Sequence, residues 1–92
     1  MYSKKTVIAN DTGLHARPAS HFIMEANKFE SKIKIARVGG NQEEDAANAK
    51  SIIHLLSLAL SQGEEVELSA DGPDEQQAVN SLVALIDTKF GE

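Results

Sequence analysis

Hydrophobic and polar residues change their period several times along this chain, and each change predicts an element. Lys4 to Ala9 (KKTVIA) reads as a strand with Thr6 and Ile8 on one face, closed by the turn-forming run Asn10-Asp11-Thr12-Gly13. From Pro18 to Phe29, residues Ala19, Phe22, Ile23, Ala26 and Phe29 recur at helical spacing. That predicts a helix with one face on a sheet and Arg17, His21 and Met24 on its other side. Ser31 to Ala36 (SKIKIA) alternates, with Ile33 and Ile35 inward and the lysines in water, the mark of a half-buried strand. Arg37 to Asn48 (RVGGNQEEDAAN) joins a Gly-Gly turn signal to residues depleted in sheets, and predicts a loop with at most a short edge strand. Lys50 to Leu60 (KSIIHLLSLAL) predicts a short helix apolar on more than one side. Leu55, Leu58 and Ala59 supply its core face, which leaves Ile52, Ile53 and Leu56 as a second apolar side in need of a partner. Glu65 to Ala70 (EVELSA) alternates again, with Val66 and Leu68 inward. Asp71-Gly72-Pro73-Asp74-Glu75 then provides a capping residue, a proline for the first turn and two acids for the positive helix end. Ala78, Val79, Leu82, Leu85 and Ile86 follow at helical spacing.

The order strand, helix, strand, weak strand, short helix, strand, long helix predicts a two-layer α+β fold. Because the strands alternate on one face only, the helices should cover that face and leave the other wet, which disfavours a doubly wound sheet. Ninety-two residues predict one domain over 1–92, too small for two lobes around a deep cleft, so any chemistry belongs at the surface. A formal net charge of −5 argues against nucleic-acid or anionic-membrane partners, which need a basic field. The absence of cysteine excludes disulfides, zinc-thiolate sites and thiol catalysis, and fits a reducing cytosol. The apolar stretch from Ile52 to Leu60 is too short and interrupted to span a bilayer, and the N-terminus lacks the pattern of a secretory leader. The expectation is a soluble, cytoplasmic protein.

Against that acidic background, Gly13-Leu14-His15-Ala16-Arg17-Pro18-Ala19 places a histidine and an arginine where a helix begins. A helix N-terminus has unpaired N–H groups and the positive end of the dipole, so it favours phosphate or carboxylate. The same field disfavours imidazolium, keeping a nitrogen lone pair available on His15, while Arg17 offers a charge-assisted hydrogen bond to an anion. Pro18 restrains Arg17 away from helical geometry, so local rules start the helix nearer Pro18 than Ala16. On these residues alone, a solvated or capping histidine, an anion site without covalent chemistry and a phosphoryl acceptor all fit. His15 and His21, six residues apart, do not share a helix face and have no carboxylate at ligand spacing, so no metal is expected. Ser51 suits a helix N-cap, and Glu43, Glu44 and Asp45 suit a solvated loop.

The run GLHARPA resembles the active-site signature of the HPr family, the histidine-containing phosphocarriers of the bacterial phosphoenolpyruvate:sugar phosphotransferase system. Asn27-Lys28-Phe29, Asn48-Ala49-Lys50-Ser51-Ile52, Leu56-Ser57-Leu58 and the acidic opening of the last helix carry the same resemblance, in the same order. It implies an open-faced β-sandwich, a four-stranded antiparallel sheet covered on one face by three helices. It implies that His15 is phosphorylated on Nδ1 by Enzyme I, that Arg17 pairs with the phosphoryl oxygens, and that Ala16, Arg17 and Pro18 hold the group at the helix start. Ile52, Ile53, Leu56 and Met24 would form the patch where Enzyme I and then IIA domains dock. Ser51 matches a position that a kinase modifies in many members, which would bring in a kinase, a phosphatase and a transcriptional regulator. The resemblance implies a monomeric, stoichiometric carrier without cofactor, and the alternative is a regulatory module acting through phospho-Ser51, as in Crh. Crh lacks the active-site histidine, so His15 points to the carrier. The chain departs from the usual pattern in its long acidic loop before Ser51, in His54 where regulated members commonly have glycine, and in His21, Met24 and Asn27 where some members carry basic residues.

Overall fold

In the β4 strand, Glu65–Asp71, every second side chain is buried: Val66, Leu68 and Ala70. Such a strand needs a neighbour on each side and a covered face. The computed structural model, which describes residues 1–9, 16–38, 46–58 and 60–88, supplies both. Around β4 the described elements are β1 (Tyr2–Val7), α1 (Ala16–Ala26), β2 (Lys32–Arg37), β3 (Ala47–Asn48), α2 (Ile52–Ser57) and α3 (Glu75–Asp87). The strands form one antiparallel sheet in the order β1-β4-β2-β3. β4 pairs with β1 from Tyr2↔Ala70 to Val7↔Glu65, and with β2 from Lys32↔Asp71 to Arg37↔Val66. β3 adds Lys34↔Asn48 and Ile35↔Ala47 at the far edge, the short edge strand that Arg37 to Asn48 allowed.

The helices cover the face that carries Ile33, Ile35, Val66 and Leu68. They contribute Ala19, Phe22 and Ala26 from α1, Leu55 from α2, and Ala78, Val79, Leu82 and Ile86 from α3 to one core. Lys32 and Lys34 point into water, as the alternation required. The architecture is the open-faced α+β sandwich, with four strands and three helices among the described residues.

Several boundaries differ from the expected ones, each for a physical reason. β1 starts at Tyr2 and stops at Val7, because those six residues have partners on β4. Ile8 is buried beyond the strand, while Thr6 stays half-buried and its hydroxyl donates to Asp87 Oδ1 (2.6 Å). α1 opens at Ala16 rather than near Pro18. Pro18 is its third residue, where a backbone N–H has no intrahelical acceptor, so the missing donor costs nothing. The helix ends at Ala26, and Phe29 packs against the core from beyond it. α3 begins at Glu75, so Pro73 precedes the helix, Asp71 closes β4, and Asp74 takes the N-cap position without capping by its side chain. The Asp74 carboxylate instead accepts the Glu30 N–H (2.9 Å), the Ser31 N–H (3.0 Å) and the Ser31 hydroxyl. Gly72 makes that approach possible, since a Cβ there would meet the Ser31 Cα at 2.7 Å. Ala59 and the acidic run Glu43 to Asp45 lie outside the described residues.

Candidate functional site

The first turn of α1 contains no acid, so nothing in it offsets the positive end of the helix dipole. Arg17, the second residue of that turn, is exposed, while Pro18 is buried beside it. The N–H groups of a helix's first turn have no intrahelical acceptor, and an exposed guanidinium among them adds a charged donor, an arrangement that can attract an anion. His15, the residue immediately before α1, lies outside the described residues. Glu25, near the other end of α1, is tied up elsewhere. The Ser81 hydroxyl donates to it at 2.8 Å and Lys28 reaches it at 3.0 Å, and these bonds, the first above all, hold its carboxyl below the ordinary value.

The apolar surface that the spacing of α2 predicted is exposed on α2 and α1. α2 packs against α1. Ile53 is 81% exposed, Met24 66%, and Ile52 and Leu56 38% each, whereas Leu55 is fully buried. A six-residue helix with one buried side chain and three open aliphatic ones is not using them for the core. Met24 lies seven residues, about two turns, from Arg17 along α1. The structure thus gathers Arg17, Met24, Ile52, Ile53 and Leu56 on two touching helices.

Ser51 is the N-cap of α2, and its Oγ accepts the His54 N–H at 3.4 Å. The His54 ring is exposed but engaged: its Nδ1 accepts the Asn48 N–H at 3.2 Å, which ties the first turn of α2 to the edge strand β3. The last turn is tied down as well. Arg37 Nη2 donates to the Leu58 carbonyl at the C-cap (2.7 Å), and Arg37 Nε to Glu64 Oε1 (2.8 Å). Sequence reasoning passed over Arg37 and Glu64, because a pair 27 residues apart leaves no local signal. Among the described residues no three histidine or carboxylate side chains gather closely enough to hold a metal, and no helix is long and apolar enough to cross a membrane.

Comparison with known proteins identifies the family. The family model for the PTS HPr component phosphorylation site matches residues 2–88. The phosphocarrier protein HPr of Haemophilus influenzae is 50% identical over 88 residues, covering 96% of this chain and 98% of the relative. The HPr-like protein Crh of Bacillus subtilis is 44% identical over 86 residues, covering 94% and 95%. Among solved structures, HPr-C-His from Thermoanaerobacter tengcongensis superposes with a TM-score of 0.91 at 47% identity, covering 100% of this chain and 98% of that one. These matches span nearly the whole chain, and with the four-stranded open-faced fold they show that the chain belongs to the HPr family of phosphotransferase-system phosphocarriers.

Proposed function

We propose that this protein works in the cytoplasm as a stoichiometric carrier: His15 takes a phosphoryl group from phosphorylated Enzyme I and yields it to a histidine on a IIA domain. The observation that carries the reading is the exposed Arg17 in an acid-free first turn of α1, directly after His15. In the forward step the Nδ1 lone pair of neutral His15 forms the bond to phosphorus. The bond from phosphorus to the donor atom breaks, the donor keeps that electron pair, and Nε2–H of the product ring can release its proton to water. Arg17 and the helix N–H groups face the charge on the oxygens throughout, which is electrostatic stabilisation that needs no reorganisation. Ile52, Ile53, Leu56 and Met24 would dock donor and acceptor in turn, which accounts for aliphatic side chains left in water on α1 and α2.

Incubation with phosphoenolpyruvate, magnesium and Enzyme I should add one phosphoryl group, acid-labile and visible by intact mass. A His15→Ala protein that still gains the label would end this reading. Ser51 supports a second, regulatory role, because it caps the helix that carries three of the four patch residues. A phosphate there adds roughly −2 of charge beside surface that must be desolvated on docking. The same assay should then run slower with Ser51→Asp than with Ser51→Ala, and equal rates would leave Ser51 a simple cap.

A further inference from the structure

We propose that the Arg37–Glu64 pair is a positioning node, holding the C-terminal end of α2 and the exit of β1 in one fixed relation so that the docking patch and His15 meet a partner together. This rests on the carrier reading above and adds to it a pair that neither composition nor spacing revealed.

Arg37 ends β2 and uses its fork on two elements at once. Nε and Nη2 donate to Glu64 Oε1 and Oε2 (2.8 and 3.3 Å), while Nη2 also donates to the carbonyl of Leu58, the C-cap of α2 (2.7 Å). Glu64 in turn accepts the Ser61 N–H through Oε2 (2.6 Å). The stretch from Leu58 to Glu64 is thereby fastened at both ends. Its other side grips the chain that leads toward His15. The Ile8 N–H donates to the Glu64 carbonyl (2.9 Å), the Gly63 N–H to the Ile8 carbonyl (2.8 Å) and Gln62 Nε2 to the Ala9 carbonyl (3.1 Å). Gly63 makes this turn at φ +89, a backbone state that favours glycine. Ala9 is the last described residue before the stretch that ends at His15.

The side chains of Arg37 and Glu64 are 39% and 31% exposed, and an ion pair that open to water adds little to stability. Its value lies in geometry: a planar fork satisfies two acceptors in fixed directions, as an ammonium cannot. Loss of the node would let the patch dock while the nucleophile sits off line, and a misplacement of about an ångström is expensive in phosphoryl transfer.

The test separates docking from transfer. Affinity is measured for unphosphorylated Enzyme I, and the single-turnover rate from phosphorylated Enzyme I at saturation. Arg37→Ala should hold its affinity within about twofold and lose about tenfold in rate, with Arg37→Lys recovering part of it. Amide resonances of both Ala9 and Leu56 should move in Arg37→Ala. Should that variant fail to fold, Arg37→Lys and Glu64→Gln carry the same measurement, and both should slow transfer more than they weaken docking. An unchanged saturated rate, or a loss that tracks the melting temperature alone, overturns the positioning role. Ile53→Glu runs in parallel. If it docks like the parent, the docking reading fails and the node falls with it; if it loses docking while Arg37→Ala transfers normally, the node alone is wrong.

Discussion

Arg17 holds the one charged side chain in the first turn of α1, and its exposure decides what its removal should do. An exposed arginine without a packing role contributes little to stability. On the proposed function its contribution goes to the phosphoryl group, where a charge-assisted hydrogen bond is worth about 1.5 to 3 kcal/mol. Realised in the transition state, that corresponds to roughly 10- to 150-fold in rate. Arg17→Ala should therefore keep the parent's melting temperature and slow transfer from phosphorylated Enzyme I by that factor in stopped-flow or quench measurements. Arg17→Lys should recover only part of the loss, since an ammonium supplies charge but not the fork. Transfer at the parent's rate in Arg17→Ala would take Arg17 out of the mechanism.

At the scale of elements, α2 shows how one short helix serves core and surface with adjacent residues. Leu55 is fully buried and Ile53 is 81% exposed, two positions apart. Leu55→Ala should cost about 2 to 5 kcal/mol in chemical denaturation, the range for a buried leucine left as a cavity. Ile53→Glu should leave stability nearly unchanged and weaken docking to Enzyme I; cooperative unfolding lost in Ile53→Glu would place that residue in the core instead. This division was legible in the sequence, because α2 carries more apolar residues than one sheet face can take. The alternation that marks β2 and β4 and the periodicity of α3 were legible for the same reason: they are local, and burial enforces them residue by residue. What was not legible depends on which ends meet. Asp74 looks like a helix-end acid until the fold brings Ser31 against it across 43 residues, and Arg37 looks like a loop residue until Leu58 and Glu64 arrive beside it. The start of α1 at Ala16 was missed because the restraint that Pro18 places on Arg17 is only a local preference, and the fold overrides it.

Across the whole molecule the sheet has two ends, and each carries a polar clamp. At one end, where Val7 pairs with Glu65 and Arg37 with Val66, the Arg37–Glu64 node adjoins the chain that leads to His15. At the other, where Lys32 pairs with Asp71, the Asp74 carboxylate joins the turn after α1 to the turn before α3. The Ser31 hydroxyl first, then the Glu30 N–H, hold the Asp74 carboxyl below the ordinary aspartate value. A carboxyl whose folded pKa is depressed adds stability that is fully present above its unfolded value and is lost as pH falls through the folded one. The melting temperature of the parent should thus hold near neutrality and drop as pH falls from the ordinary aspartate value downward. Asp74→Asn, which keeps the shape and loses the charge, should melt lower at neutral pH and show a shallower acid limb, the two curves converging at low pH. Because this clamp stands at the end of the sheet away from Arg37 and Glu64, transfer from phosphorylated Enzyme I at neutral pH and below the melting transition should match the parent. Parallel acid limbs in the two proteins would show that Asp74 is not a source of the acid sensitivity, and slowed transfer in Asp74→Asn would show that the two ends of the sheet are mechanically coupled.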